Sequence, residues 1–254
     1  MLRGIYTAAS GMITKQVQLE NLSNNVSNIN TAGYKKQKVS LKSFEELVLM
    51  NKDKQVGDKS FPRRIGTIEL GVGIDGTRTN FSQGDLEKTD RILDFAINGD
   101  GFFTVEDENG SKKYTRDGRF KIDSEGNLIA TNGYKVIGLD ENGYEKTIKV
   151  NSENITLNPD GTISGTDNLK FLITTFEDKN QLLRDANDFY NSKADGNPVA
   201  TDIKQGFVEK SNVDTIEVIT EMMSIMRSYE SSQKVMQSLD ETLSKTVNEV
   251  GNVR

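Results

Sequence analysis

Apolar residues recur at alternating steps of three and four along both ends of the chain, although the two stretches lie far apart in the sequence. Near the start the series is Ile5, Ala8, Met12, Leu19, Leu22, Val26 and Ile29, interrupted at Lys15 and Gln16. Near the end it is Val218, Met222, Ile225, Tyr229, Met236, Leu239, Leu243 and Val250, interrupted at Ser232 and Thr246. A repeat of about 3.5 residues lays its apolar side chains along one helical seam, and another helix has to cover it, as in a coiled coil. The pattern predicts a first helix over about residues 3–30, stopped at Asn30-Thr31-Ala32-Gly33, where Gly33 is free to turn left-handed. A second helix is expected from a capping box at Ser211-Asn212-Val213-Asp214 to about Val250.

Between these helices the pattern changes. Asp107-Glu108-Asn109-Gly110, Asp123-Ser124-Glu125-Gly126, Thr131-Asn132-Gly133, Asp140-Glu141-Asn142-Gly143 and Asn158-Pro159-Asp160-Gly161 are turn signals at intervals suited to short antiparallel strands. Strand candidates lie at 101–105, 119–122, 134–137, 147–150 and 169–176. Residues 35–70 are basic and weakly patterned, with an apolar group at Phe44, Leu47, Val48 and Leu49 and a Gly-rich exit. The expected fold class is therefore α+β: long terminal helices pair into a coiled-coil-like helical domain, and an all-β domain is inserted between them. The expected division is residues 1–33 for the first helix, 34–71 for a connector, 72–205 for the β domain and 206–254 for the helix completing the helical core.

Composition narrows the chemistry. The chain of 254 residues has no His, Cys or Trp, which removes disulfides, thiolate nucleophiles, imidazole bases and His or Cys zinc sites. With 34% apolar and 28% charged residues, its core is small for its length. Residues 1–64 hold 11 Lys or Arg against 5 Asp or Glu, and the remainder is strongly acidic. The basic stretch reads as a solvated connector, with attraction between neighbouring subunits as a further possibility. No nucleic-acid-binding motif accompanies it. The Asp, Asn and Gly clusters do not match the ligand frame of a calcium-binding loop, and hairpin turns explain them. Gly99-Asp100-Gly101 and Gly71-Val72-Gly73 lack the third glycine and following helix of a dinucleotide fold. No acid, base and cleft signature points to catalysis, so no catalytic, cofactor-binding or metal residue is expected. The first residues lack the continuous apolar core of a signal peptide, and no run approaches the roughly 20 apolar residues of a membrane span.

One polar feature has no compositional explanation. Asn21, Asn24, Asn25, Asn28 and Asn30 are poor helix formers, because their amides compete for backbone hydrogen bonds. Either packing and amide bonds to neighbours hold this stretch, or the helix frays there.

Leu19-Glu20-Asn21-Leu22-Ser23-Asn24-Asn25-Val26-Ser27-Asn28-Ile29-Asn30-Thr31-Ala32-Gly33-Tyr34-Lys35 resembles the N-terminal signature of bacterial flagellar rod and hook proteins. Asn98-Gly99-Asp100-Gly101-Phe102-Phe103-Thr104-Val105 and Tyr114-Thr115-Arg116-Asp117-Gly118-Arg119-Phe120 look like the central domain of the longer rod proteins. Val208-Glu209-Lys210-Ser211-Asn212-Val213-Asp214 and Met226-Arg227-Ser228-Tyr229-Glu230 are similar to the family's C-terminal segment.

The resemblance implies a non-enzymatic axial component of the flagellar basal body, of distal rod type or the rod protein just below it. It also implies export through the flagellum's own type III apparatus without a cleaved signal. The implied partners are further copies of the chain, adjacent rod and hook proteins and the export apparatus, with no nucleic acid, small-molecule substrate or cofactor. The expected assembly interface is Ile5, Met12, Leu19, Leu22, Asn24, Asn25, Val26, Asn28, Ile29, Val218, Met222, Ile225, Tyr229, Met236, Leu239, Leu243 and Val250. The rival readings are a secreted coiled-coil adhesin or sheath protein with a β head, and a flagellar hook subunit.

Overall fold

The computed structural model describes residues 2–51, 55–56, 59–60, 63–150, 155–158, 160–166, 168–185, 187, 189–192, 194 and 196–250. Its contacts gather into two units, one made of Met1–Val26, Gln37–Arg78 and Thr215–Arg254, the other of Ser27–Lys36 and Thr79–Asp214.

The first unit contains helices α1 (Leu2–Ser27) and α2 (Thr215–Lys245), and its strands include β1 (Gln37–Ser43), β2 (Glu46–Asn51), β3 (Arg63–Glu69) and β4 (Val72–Thr79). β1 pairs with β4. β2 and β3 form a separate antiparallel ribbon, pairing Leu47 with Ile68 and Leu49 with Gly66, with a shift of register between Leu49 and Met50. Helix α1 is tied to this strand region by its hydroxyls. Thr7 donates to the Leu70 carbonyl at 3.0 Å, and Ser10 accepts from the Val72 amide at 3.4 Å. The Phe44 ring fills the space left by the missing side chains of Gly71 and Gly73.

The expected α+β fold with a coiled-coil-like helical domain is corrected here. Among the described residues the chain has one α-helix at each end with a large β region between them, and the two helices are 26 and 31 residues long. Strands share the first unit with the helices and take part of α1's surface. Along α2 only Val218 and Ile225 are buried, while Met222, Tyr229, Met236, Leu239 and Leu243 remain half-buried. Ile216, Ile219, Met223 and Met226 project outward on an adjacent face, so the apolar surface is broader than a heptad seam. Lys15, Gln16, Ser232 and Thr246 interrupt the seam where an unbroken apolar repeat is needed to sustain supercoiling. Where α1 and α2 meet, contact relies on a small residue: a Cβ on Gly4 would lie 3.4 Å from Leu239 Cδ1.

The capping box is corrected as well. α2 starts at Thr215, after Asp214, because the groups before it are used in other contacts. The Ser211 hydroxyl accepts from the Val213 amide at 3.4 Å, and the Asn212 amide bonds outward to other segments. α1 ends at Ser27, three residues before the expected stop, and Asn28 then closes a turn by accepting from the Thr31 amide at 3.2 Å.

The second unit adds strands β5 (Leu86–Lys88), β6 (Phe95–Asn98), β7 (Phe102–Glu106), β8 (Lys112–Thr115), β9 (Lys121–Ile122), β10 (Leu128–Ile129), β11 (Lys135–Leu139), β12 (Lys170–Phe171), β13 (Ile173–Thr175), β14 (Tyr190–Asn191), β15 (Asp202–Gln205) and β16 (Phe207–Glu209). β7 is central to an 11-stranded sheet, with β8, β11 and β13 all pairing antiparallel to it. β15 pairs with β6 and β16 with β5, so the last strands of the unit return to its first. The core holds Phe95, Phe103, Phe120, Val136, Ile148, Ile155 and Phe171, among others. The Phe103 and Phe120 rings meet edge to face at 5.2 Å between centroids.

The turn signals become five hairpin corners built alike. The amides of Gly110, Gly126, Gly133, Gly143 and Gly161 donate three residues back to the carbonyls of Asp107, Asp123, Ala130, Asp140 and Asn158. All five glycines have φ between 76° and 88°, where a Cβ would be strained. The Asp carboxylates are used within the turns: Asp107, Asp123 and Asp140 each accept the amide of the following residue.

Candidate assembly site

In the first unit, most of the residues expected at the assembly interface sit partly uncovered. Leu22 is buried, whereas Ile5, Met12, Leu19 and Val26 on α1 keep part of their surface. Beside them lie fully outward apolar side chains, with Tyr6 at 73% exposure, Ile13 at 60% and Ile216 at 78%. The β2–β3 ribbon is equally bare. Leu47, Leu49 and Ile68 share one of its faces by register and Val48 lies on the other, and all four are exposed. The Val250 side chain lies outside the described residues.

The asparagines divide by role. Asn25 is buried, and its amide pairs with one backbone residue in both directions: Nδ2 donates to the Gln37 carbonyl at 2.8 Å and Oδ1 accepts the Gln37 amide at 3.0 Å. A buried amide satisfied this way substitutes for a strand neighbour. Asn24 is exposed. In the second unit, Asn28 and Ile29 are half-buried, and Asn28 serves the turn after α1, taking the Thr31 hydroxyl at 3.2 Å.

The second unit also contains an ion cluster that the apolar pattern did not reveal. Lys35, Arg116 and Glu209 are all buried. Glu209 Oε1 accepts from Lys35 Nζ and, at 3.0 Å, from the Gly84 amide; Oε2 accepts from Arg116 Nη1 at 3.2 Å. Lys35 Nζ also donates to the Ser82 carbonyl at 2.7 Å, and the Arg116 guanidinium lies over the Phe102 ring at 5.2 Å. Burial pushes the Lys35 ammonium below its ordinary value, against the opposing pull of Glu209. Close backbone approach makes the cluster possible. A Cβ on Gly33 would strike the backbone at Arg116 and Asp117, and one on Gly84 would strike the Lys210 carbonyl. Beside the cluster, Asn212 Oδ1 accepts the Lys36 amide at 2.7 Å and Nδ2 donates to the carbonyls of Asn80 and Ser82.

A signal for this cluster was present in the sequence. Lys35 closes the first motif, Arg116 lies in the second, and Glu209 and Asn212 lie in the third. What periodicity omits is that a charge in each of three separated motifs belongs to one site.

The chain matches three family descriptions in order. Residues 5–35 match "Flagella basal body rod protein", residues 96–165 match "Flagellar hook protein FlgE/F/G D1 domain", and residues 204–249 match "Flagellar basal body rod FlgEFG protein C-terminal". It is 33% identical to the flagellar hook-basal body complex protein FlhO of Bacillus subtilis over 100% of both chains. It is 31% identical to the flagellar basal-body rod protein FlgG of the same organism, over 98% of this chain and 99% of that one. With the flagellar basal-body rod protein FlgF of Caulobacter vibrioides it shares 32% identity over 100% of both chains.

Proposed function

Because the chain belongs to the flagellar basal-body rod and hook protein family and is a structural subunit of the basal-body rod, we propose that it polymerises with copies of itself into a helical shaft that transmits torque. The observation that carries this reading is the apolar surface left open on α1, α2 and the β2–β3 ribbon. On the ribbon Leu47, Leu49 and Ile68 adjoin by register, and contiguous exposed apolar surface marks contacts with other proteins. A head-to-tail contact that does not close generates a filament, the geometry a shaft requires.

In this reading the helices and ribbon pack laterally between subunits around a central export channel, and torque passes through those contacts. Before assembly the terminal segments are only marginally ordered, since amphipathic helices take most of their stability from tertiary packing rather than from propensity. Export through the flagellum's type III apparatus and contact with adjacent rod and hook proteins belong to the same proposal.

The subunit works by packing and not by catalysis. The ionisable groups with shifted protonation support this, because they serve structural contacts: Lys35 with Glu209, Asp100 with Lys179, Lys113 with Asp185, Arg119 with Asp117, Asp140 with Lys146, and Asp178 with the Asn180 amide. Fractionation tests the proposal: the chain is expected in purified basal bodies, in register with the rod. Recovery only as a surface-attached fibre would overturn it in favour of an adhesin.

A further inference from the structure

Chain order gives the buried ion cluster a property beyond stabilisation. Its carboxylate, Glu209, comes 174 residues after Lys35 and 93 after Arg116. Until Glu209 arrives, closing the site would bury two cations with the Ser82 carbonyl as a neutral acceptor for Lys35. Desolvation and like-charge repulsion both oppose that closure. Once β16 pairs with β5, setting Glu209 opposite Leu86, the carboxylate binds Lys35, Arg116 and the Gly84 amide at once. In the same step the Glu209 carbonyl accepts the Gly33 amide at 2.8 Å. The large apolar core draws its members from residues 95–189 and needs none of these groups to form.

We propose that Lys35, Arg116 and Glu209 form a charge-gated clasp, which holds both flanks of the β unit, residues 31–36 and 207–212, undocked until Glu209 inserts and then closes them together as the last step of folding. The clasp makes completion of the β unit depend on a strand near the end of the chain. It also sets the limit of order in a subunit not yet assembled, because both flanks are fixed without help from another copy.

Pulse-labelled hydrogen exchange during refolding of the full chain tests this. The Gly33 and Gly84 amides are expected to gain protection in one shared late phase, after the Leu128 amide, which donates to the Ile148 carbonyl within the core. In the native state, Glu209→Gln is expected to raise exchange at Gly33 and Gly84 together by about a hundredfold or more while leaving Leu128 protected, because removing one partner strands a buried charge. The triple variant Lys35→Met, Arg116→Met, Glu209→Met removes the charges altogether and is expected to recover protection at Gly33 and to lose the late phase. If the parent protects Gly33 and Leu128 together, or if the triple variant keeps the late phase, the gate does not exist. If Glu209→Gln exchanges like the parent, the cluster is no clasp. A variant that closes normally but fails to enter basal bodies would bear on the assembly proposal and leave this one standing.

Discussion

Asn25 shows what one polar side chain contributes when the backbone needs a partner. It sits on an amphipathic helix, yet its amide makes a reciprocal pair with Gln37 in a buried setting. Replacing it strands two backbone groups, and Asn25→Ala is expected to lower stability by about 1–3 kcal/mol, read as a fall in the denaturant midpoint. Phe103, fully buried against Phe120 and Phe171, is expected to cost about 3–5 kcal/mol on change to Ala, measured the same way. The pH dependence follows from two kinds of pair. Lys179 beside Asp100, and Lys146 beside Asp140, hold those carboxyls below their ordinary value. Their stabilisation is present above the unfolded carboxyl value and is lost as pH falls through the lower folded one. The Lys113 ammonium is raised, first by its hydrogen bond to Asp185. Its stabilisation is present below the unfolded lysine value and is lost as pH rises through the folded one. Melting temperature is therefore expected to be level in the neutral range and to fall at both extremes, and Asp100→Asn is expected to shallow the acid side.

At the scale of elements, the hairpin corners were legible because their chemistry is local. Each glycine is required by a positive φ set within four residues, and Gly143→Ala is expected to destabilise by about 1 kcal/mol in a thermal melt. The helices were legible as periodic segments, but their pairing was not. A stripe shows that a face needs covering without showing what covers it, and strands in the first unit share that surface. Leu22→Asp and Leu239→Asp are expected to block entry into the rod while leaving the β unit folded. Near-ultraviolet circular dichroism of the monomer and motility of the mutant cell read those two effects separately. Normal swimming with either variant would remove the helices from the proposed interface.

For the whole molecule, assembly rests on apolar surface that the single chain leaves open, on α1, α2 and the β2–β3 ribbon. Dilute monomer is expected to show strand signal by far-ultraviolet circular dichroism with less helix than α1 and α2 together would give, and to gain helix on polymerisation. Full helicity at low concentration would mean that the helices are stable alone. The sequence by itself determined the terminal helices, the hairpin corners and, through three ordered motifs, the family, because these depend on neighbours a few residues apart or on patterns carried along the chain. Only the tertiary structure decided that strands share the first unit with the helices, that Asn25 serves Gln37, and that Lys35, Arg116 and Glu209 meet. Those contacts depend on backbones brought together from distant positions, as at Gly33 and Gly84, and nothing in the local pattern of residues encodes which distant groups will become neighbours.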